Sequence, residues 1–261
     1  MKNGGLITKT INTPTTDLAS GVWSLQEQYE AETNETWPKF VDPNTSTDPY
    51  FSDVILLLKF DGVNGGTTFT DSSNNNTTIT RNADTVLSNV VTKYGSTSGY
   101  FDGAQDNLSF PLITIPQNTD FTIETWFNTA DDAANDSALC GTYNSNGGNN
   151  QMFRFSKNNT NNFLIYNGGA IFSYTRSTAL ANNTWYHTAL TRENNVCKFF
   201  MDGVLEATNS NFSLAIKLAH VGAGYNNGNE FRGYMDEFRI TRGVARYTST
   251  FTPPTAGFPT S

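Results

Sequence analysis

Two histidines, His187 and His220, are the only imidazoles in this 261-residue chain, and both fall inside segments that read as strands. Neither has a serine or cysteine nucleophile close to it in sequence, so both read as structural histidines. Glycoside hydrolysis needs two carboxylates facing one cleft. Glu124 and Glu237 are isolated, and Asp236 and Glu237 are adjacent, which on a regular strand sends the two side chains to opposite faces. No catalytic residue is assigned. Cys140 and Cys197 form no Cys-x-x-Cys pair and lie in apolar stretches, so they read as buried free thiols, and no zinc spacing exists. The residues best suited to binding are tyrosines beside amide-rich loops. Tyr143 precedes NSNGGNN (144–150), Tyr166 precedes Asn167-Gly168-Gly169, and Tyr225 precedes Asn226-Asn227-Gly228-Asn229. A ring can stack on the apolar face of a sugar while amides bond its hydroxyls. These three tyrosines are candidate ligand-binding residues, although Asn and Gly are also what any turn would use. Arg239, Arg242 and Arg246 form the one basic cluster and read as partners for acidic groups.

The elements that position these residues must be β-strands. Only 15% of the chain is charged and 37% hydrophobic, which is poor material for helices. Aromatics reach 13%, with 19 Phe, enough bulk for a core. VILLLKF (54–60) is a continuous apolar run suited to a strand buried on both faces. FTIETWFN (121–128) alternates, Phe121, Ile123 and Phe127 against Thr122, Glu124 and Trp126. Further strands are read at 107–113, 151–156, 163–167, 170–175, 185–193, 196–203, 217–223 and 233–240. Asp61-Gly62, Asp102-Gly103 and Asp202-Gly203 supply turn chemistry between them. Roughly ten to fourteen short strands indicate an all-β, two-sheet antiparallel sandwich. A net charge of −8 argues against nucleic acid as a partner. No apolar run approaches the ~20 residues of a membrane span. Met1–Ile7 lacks the apolar stretch of a signal peptide, so synthesis in the cytoplasm is expected.

Residues 1–48 read as a separate arm. Ser24 and Glu27 form a capping box for a short helix at about 25–36 that must stop before Pro38. Its apolar surface is Leu25 and Tyr29, flanked by Trp23 and Trp37, too little to be stable alone. These four residues are therefore expected to anchor the arm on a neighbouring subunit. Residues 39–49 read as a linker into a domain at 49–261.

The segments VILLLKFDG (54–62), SGYFDG (98–103), FTIETWF (121–127), WYHTALTR (185–192), KFFMDG (198–203) and YMDEFRITRGVARY (234–247) together resemble the laminin-G/concanavalin A-like jelly-roll family. The likeness is greatest to versions found in tailed-phage virion proteins. FTPPTAGFP (251–259) resembles the usual ending of such domains, and SGVWSLQEQYEAETNETWP (20–38) a segment of phage tail and fibre proteins. The resemblance implies a concanavalin A-like jelly roll and a non-enzymatic virion structural protein, present in many copies as a capsid decoration or a tail, fibre or neck component. A carbohydrate-binding adhesion module for host recognition is the alternative. It also implies a structural calcium near Asp61, Asp102 and Asp236, with Asp106 as a further ligand; Asp61 and Asp102 before glycine can equally be turn formers. The Glu-x-Asp-x-x-Glu strand of the family's glycosidases does not occur here.

Overall fold

The computed structural model describes residues 47–129, 136–142, 151–156, 162–167, 170–175, 180–224 and 229–261. The helix expected at 25–36, with Trp23, Leu25, Tyr29 and Trp37, lies outside them. So do Tyr143 and Tyr225. Thr47–Ser261 fold as one unit, in which two antiparallel sheets stack face to face as a sandwich. The first sheet runs β13 (Val204–Asn209), β12 (Val196–Met201), β11 (Trp185–Glu193), β6 (Phe121–Asn128), β15 (Arg232–Arg242), β4 (Ser98–Asp102) and β3 (Val86–Ser88), with β1 (Val54–Leu58) also on β15. The second runs β10 (Ala170–Thr175), β9 (Asn162–Asn167), β8 (Gln151–Ser156), β7 (Asp136–Gly141), β14 (Ile216–Val221), β5 (Asn107–Ile115) and β2 (Thr80–Asn82).

Strand β15 organises the first sheet. One edge pairs with β6 throughout, and the other is shared by β4, at Arg232–Met235, and β1, at Phe238–Thr241. Where the two halves meet, three steps along β15 from Asp236 to Arg239 oppose two on β6, and Glu237 takes φ 53. That extra residue is a β-bulge, which breaks strict alternation.

The inner faces carry the core. Ile123, Phe127, Met235, Phe238 and Phe199 of the first sheet meet Leu108, Cys140, Phe153, Phe163 and Val221 of the second. Phe199 stacks on Phe163 at 4.8 Å and meets Phe153 edge-on at 5.8 Å, joining the sheets. Cys140 and Cys197 are buried free thiols, and burial raises both, Cys140 to about 12. The run 54–58 is buried on both faces as read: Leu56 and Leu58 enter the main core, while Val54 and Leu57 pack with Phe258. The β12–β13 turn is Asp202-Gly203, both at positive φ (48° and 77°), as a two-residue hairpin demands. A Cβ on Gly203 would sit 1.9 Å from the Phe251 carbonyl, so the tail crosses directly over this turn.

The alternation of 121–128 does not mark a wet face. All eight residues of β6 are buried: on the outer side of the first sheet, residues 243–261 cover Thr122 and Glu124, and Lys93 and Tyr94 pack on Trp126.

Candidate functional site

Directly paired residues on neighbouring antiparallel strands share a face. Pairing places Glu124 opposite Arg239 and Ala189, and Trp126 opposite Asp236 and His187. The chemistry-bearing side chains thus converge on the outer face of the first sheet, beneath the tail. Arg239 donates from Nε and Nη2 to Glu124 Oε1, at 3.0 and 2.8 Å, and from Nη1 to Asp48 Oδ2 at 3.0 Å. Arg246 clasps Asp48 with both terminal nitrogens, at 2.9 and 2.7 Å, and donates from Nε to Thr241 Oγ1. The Tyr247 hydroxyl donates to Glu124 Oε2 at 2.8 Å, and His187 Nε2 lies 3.2 Å from the same oxygen. Tyr247 stacks on Phe251 at 3.6 Å, and Phe251 meets the His187 ring edge-on.

Burial alone would raise the Glu124 carboxyl. The Arg239 charge, joined by His187 and Arg246, overrides burial and holds it at about 2. An ionised carboxylate only accepts, so His187 Nε2 carries the proton in this pair. Glu124 is 1% exposed and His187 0%. A general base must reach the proton it abstracts, and this pair is closed off from solvent. The arrangement is a clamp.

A second fastening lies beside it. Glu237 Oε1 receives Lys59 Nζ at 3.0 Å and Oε2 the Phe258 amide at 2.8 Å, while Lys59 also donates to the Phe258 carbonyl. The Phe258 ring lies under the Arg239 guanidinium at 3.7 Å. Asp236 Oδ2 accepts the Lys93 and Tyr94 amides at 3.2 and 3.1 Å, and the Tyr94 hydroxyl donates to the Pro254 carbonyl. Asp236 Oδ1 is buried without a partner. Burial, with the nearby charges of Glu237 and Asp61, pushes the Asp236 carboxyl up to about 8. Because of the bulge at Glu237, both carboxyl groups serve the covered face, contrary to the opposite-face expectation for 236 and 237.

The nominated calcium ligands do not come together as one set. Asp61 accepts the Ser96 amide and Asp236 the amides just before it, so both hold the 93–96 loop. Asp102 and Asp106 gather instead with Asp84, which sequence reading missed, their nearest carboxylate oxygens within 4.8 Å of one another. Asp106 accepts the Asp84 and Asp102 amides, and Asp102 the Ala104 amide. Burial first, then hydrogen bonding with Asp84 and the charge of Asp102, raise the Asp106 carboxyl. Carboxylate oxygens crowded together are donors of the type calcium takes.

Of the tyrosine candidates, Tyr166 lies on β9, paired with Met152 and Ala170. Arg239 and Arg246 pair with acids as expected, whereas Arg242 is exposed. Sequence reading missed Asp48, Lys59, Tyr247 and Phe258 as network members. The one available signal is the composition of the polar half of β6, where Glu124 and Trp126 are unusual residues for an open face.

The laminin-G-type family model described as the concanavalin A-like lectin/glucanases superfamily matches residues 101–246, more than half of the chain. The chain belongs to this superfamily. Among solved structures, this superfamily member is similar to domain 4 of AbnA, a GH43 extracellular arabinanase from Geobacillus stearothermophilus, in complex with arabinotriose. Identity there is 19% and the TM-score 0.56, over 74% of this chain and 94% of that one. It is also similar to the botulinum neurotoxin serotype D binding domain, with 11% identity and TM-score 0.52, over 76% of this chain and 50% of that one. Trypanosoma rangeli sialidase with 2,3-difluorosialic acid gives 14% identity and TM-score 0.51, over 76% of this chain and 32% of that one. At such identities the likeness is one of fold. A search among curated proteins finds no match.

Proposed function

We propose that this superfamily member is a non-enzymatic carbohydrate-binding module, displayed on a tailed-phage particle as a capsid decoration or a tail, fibre or neck component. The observation that carries the non-enzymatic part is the sealing of Glu124 and His187 beneath residues 243–261. A lectin-type frame whose best acid–base pair is a fastening is suited to holding a ligand. The arabinotriose bound to domain 4 of AbnA supports a sugar as that ligand. Placement on a virion, in many copies, rests on the phage-like segments at 20–38 and 251–259. Deleting residues 1–38 is expected to leave the melting temperature Tm of the sandwich unchanged and to abolish incorporation into particles. Normal occupancy of the truncated protein, measured by quantitative gel analysis of purified particles, would remove the anchoring role of Trp23, Leu25, Tyr29 and Trp37.

The structural calcium is placed at Asp84, Asp102 and Asp106 in this reading. Calcium is expected to raise Tm and EDTA to lower it, since an ion that binds only the folded state stabilises it by mass action. Asp102→Asn should abolish the difference. A wild-type melting curve identical in calcium and in chelator sinks the site.

A further inference from the structure

One cross-strand row on the outer face of the first sheet belongs to neither fastening. It runs Val86, Tyr100, Tyr234, Asn128 and Trp185, across β3, β4, β15, β6 and β11. Tyr100, Tyr234 and Trp185 are each partly exposed. The Tyr100 and Tyr234 rings lie 5.0 Å apart, inclined by 42°, and the Tyr234 hydroxyl shares a hydrogen bond with Ser88, which fixes its direction. Between Tyr234 and Trp185 sits Asn128, 2% exposed, whose side-chain Oδ1 is buried without a partner. Gly233 draws the two strands together here, for a Cβ on it would stand 2.1 Å from the Asn128 carbonyl oxygen.

A buried amide oxygen without a partner carries an unrecovered desolvation cost. The buried polar groups described above on this face are partnered within the clamp, by the tail or by the loop at 93–96, apart from the next row, where Asp236, Trp126 and His187 each keep one unpartnered atom. The Asn128 amide differs in being flanked by partly exposed rings. A hydroxyl both donates and accepts, so it can serve either end of the amide. A ring on each side offers a stacking surface for a saturated, C–H-bearing face. One molecule with hydroxyls on its rim and an apolar face is a sugar.

Four neighbouring strands, from Tyr100 to Trp185, span three interstrand steps, roughly 14 Å in all. That length accommodates a short chain of sugar units. No Lys or Arg stands in the row; Arg232, two residues before Tyr234 on the same strand, pairs in register with Asp102, and Lys93, over the Trp126 ring at 3.7 Å, is faced by Asp202 and Asp236. With a net charge of −8 on the chain, an anionic sugar finds no complement here. We infer that Trp185, Asn128, Tyr234 and Tyr100 form a platform that binds a neutral oligosaccharide, an inference that rests on the carbohydrate-binding reading above.

The test uses the full chain on a printed array of neutral and sialylated glycans, followed by calorimetry with the glycan that gives the strongest signal. Trp185→Ala and Tyr234→Ala are each expected to weaken binding by about thirty-fold, the loss typical of an aromatic anchor, with Tm preserved. Tyr143→Ala and Tyr225→Ala are expected to bind as wild type. Should Trp185→Ala fail to fold, Trp185→Phe replaces it, and loss of the glycan-induced change in tryptophan fluorescence supports the platform. If wild type binds and the Trp185 and Tyr234 variants stay within two-fold of it, the platform is wrong while the carbohydrate-binding reading stands. Binding confined to sialylated glycans overturns the neutral class. An array with no signal for wild type overturns the reading and the platform together.

Discussion

Replacing Glu124 with alanine is expected to destabilise the sandwich by about 3–5 kcal/mol, the usual cost of breaking a buried ion pair from one side. Arg239 would keep its charge at 4% exposure, losing both hydrogen bonds to Glu124 Oε1, and Tyr247 and His187 would lose their shared acceptor. Urea unfolding of wild type and variant gives the difference directly. Pairing Glu124→Leu with Arg239→Met should recover much of the loss, because apolar replacements of a buried pair are often near neutral. A loss below ~1 kcal/mol for Glu124→Ala would show that the clamp contributes little. The acid side follows with a definite sign. The folded-state Glu124 carboxyl is held at about 2, below its ordinary 4.5. Its contribution is complete above the unfolded value and is lost as pH falls from 4.5 towards 2.

Asp236→Asn is expected to act in the opposite sense and to stabilise the protein at pH 8. The folded state keeps a proton on Asp236 up to about 8, whereas the ordinary value is 3.8. Between those values the folded state binds more protons than the unfolded, so stability falls as pH rises. Each unit corresponds to about 1.4 kcal/mol, and structural relaxation around the carboxylate shares the burden, so a gain of roughly 3 kcal/mol at pH 8 is expected. Asparagine keeps an oxygen for the Lys93 and Tyr94 amides and removes the ionisation. Tm measured from pH 4 to 8 should slope downwards less in the variant than in wild type, the two converging near pH 4. Parallel profiles would mean that Asp236 is ionised in the native protein. With Glu124 limiting the acid side and Asp236 the neutral side, greatest stability is expected near pH 5.

The strands were legible because the side-chain pattern has period two and the turns carry Asp-Gly. Residues 54–58 and 121–128 announced themselves, as did the Asp202-Gly203 hairpin. Strands β2, β3, β4, β7 and β13 were not read as strands, since three to six residues with few apolar positions hold no clear period. The covered face was misread for a related reason. Alternation says which residues share a face, and only segments distant in sequence, the tail over Glu124 and Lys93 with Tyr94 over Trp126, decide that these two are dry. Likewise Asp48 looks like linker until two arginines from a distant strand and its sequel close on it. The bulge at Glu237 put two neighbouring acids to work on one face, against the simple rule. Asp84 joins Asp102 and Asp106 only through the fold, because nothing in its local sequence distinguishes it from any other surface aspartate. The platform residues Trp185, Asn128 and Tyr234 were each visible as strand residues, and only register places them side by side.

The Asp48 amide donates to the Ser261 carbonyl at 2.8 Å, so residues 48 and 261 meet at one spot on the sandwich. In mechanical terms residues 48 and 261 form a single latch on the sandwich. A pull between the segment before Thr47 and anything joined after Ser261 would load that one contact and the arginine clasp on Asp48 first. The two sheets would bear no tension until the clasp had opened.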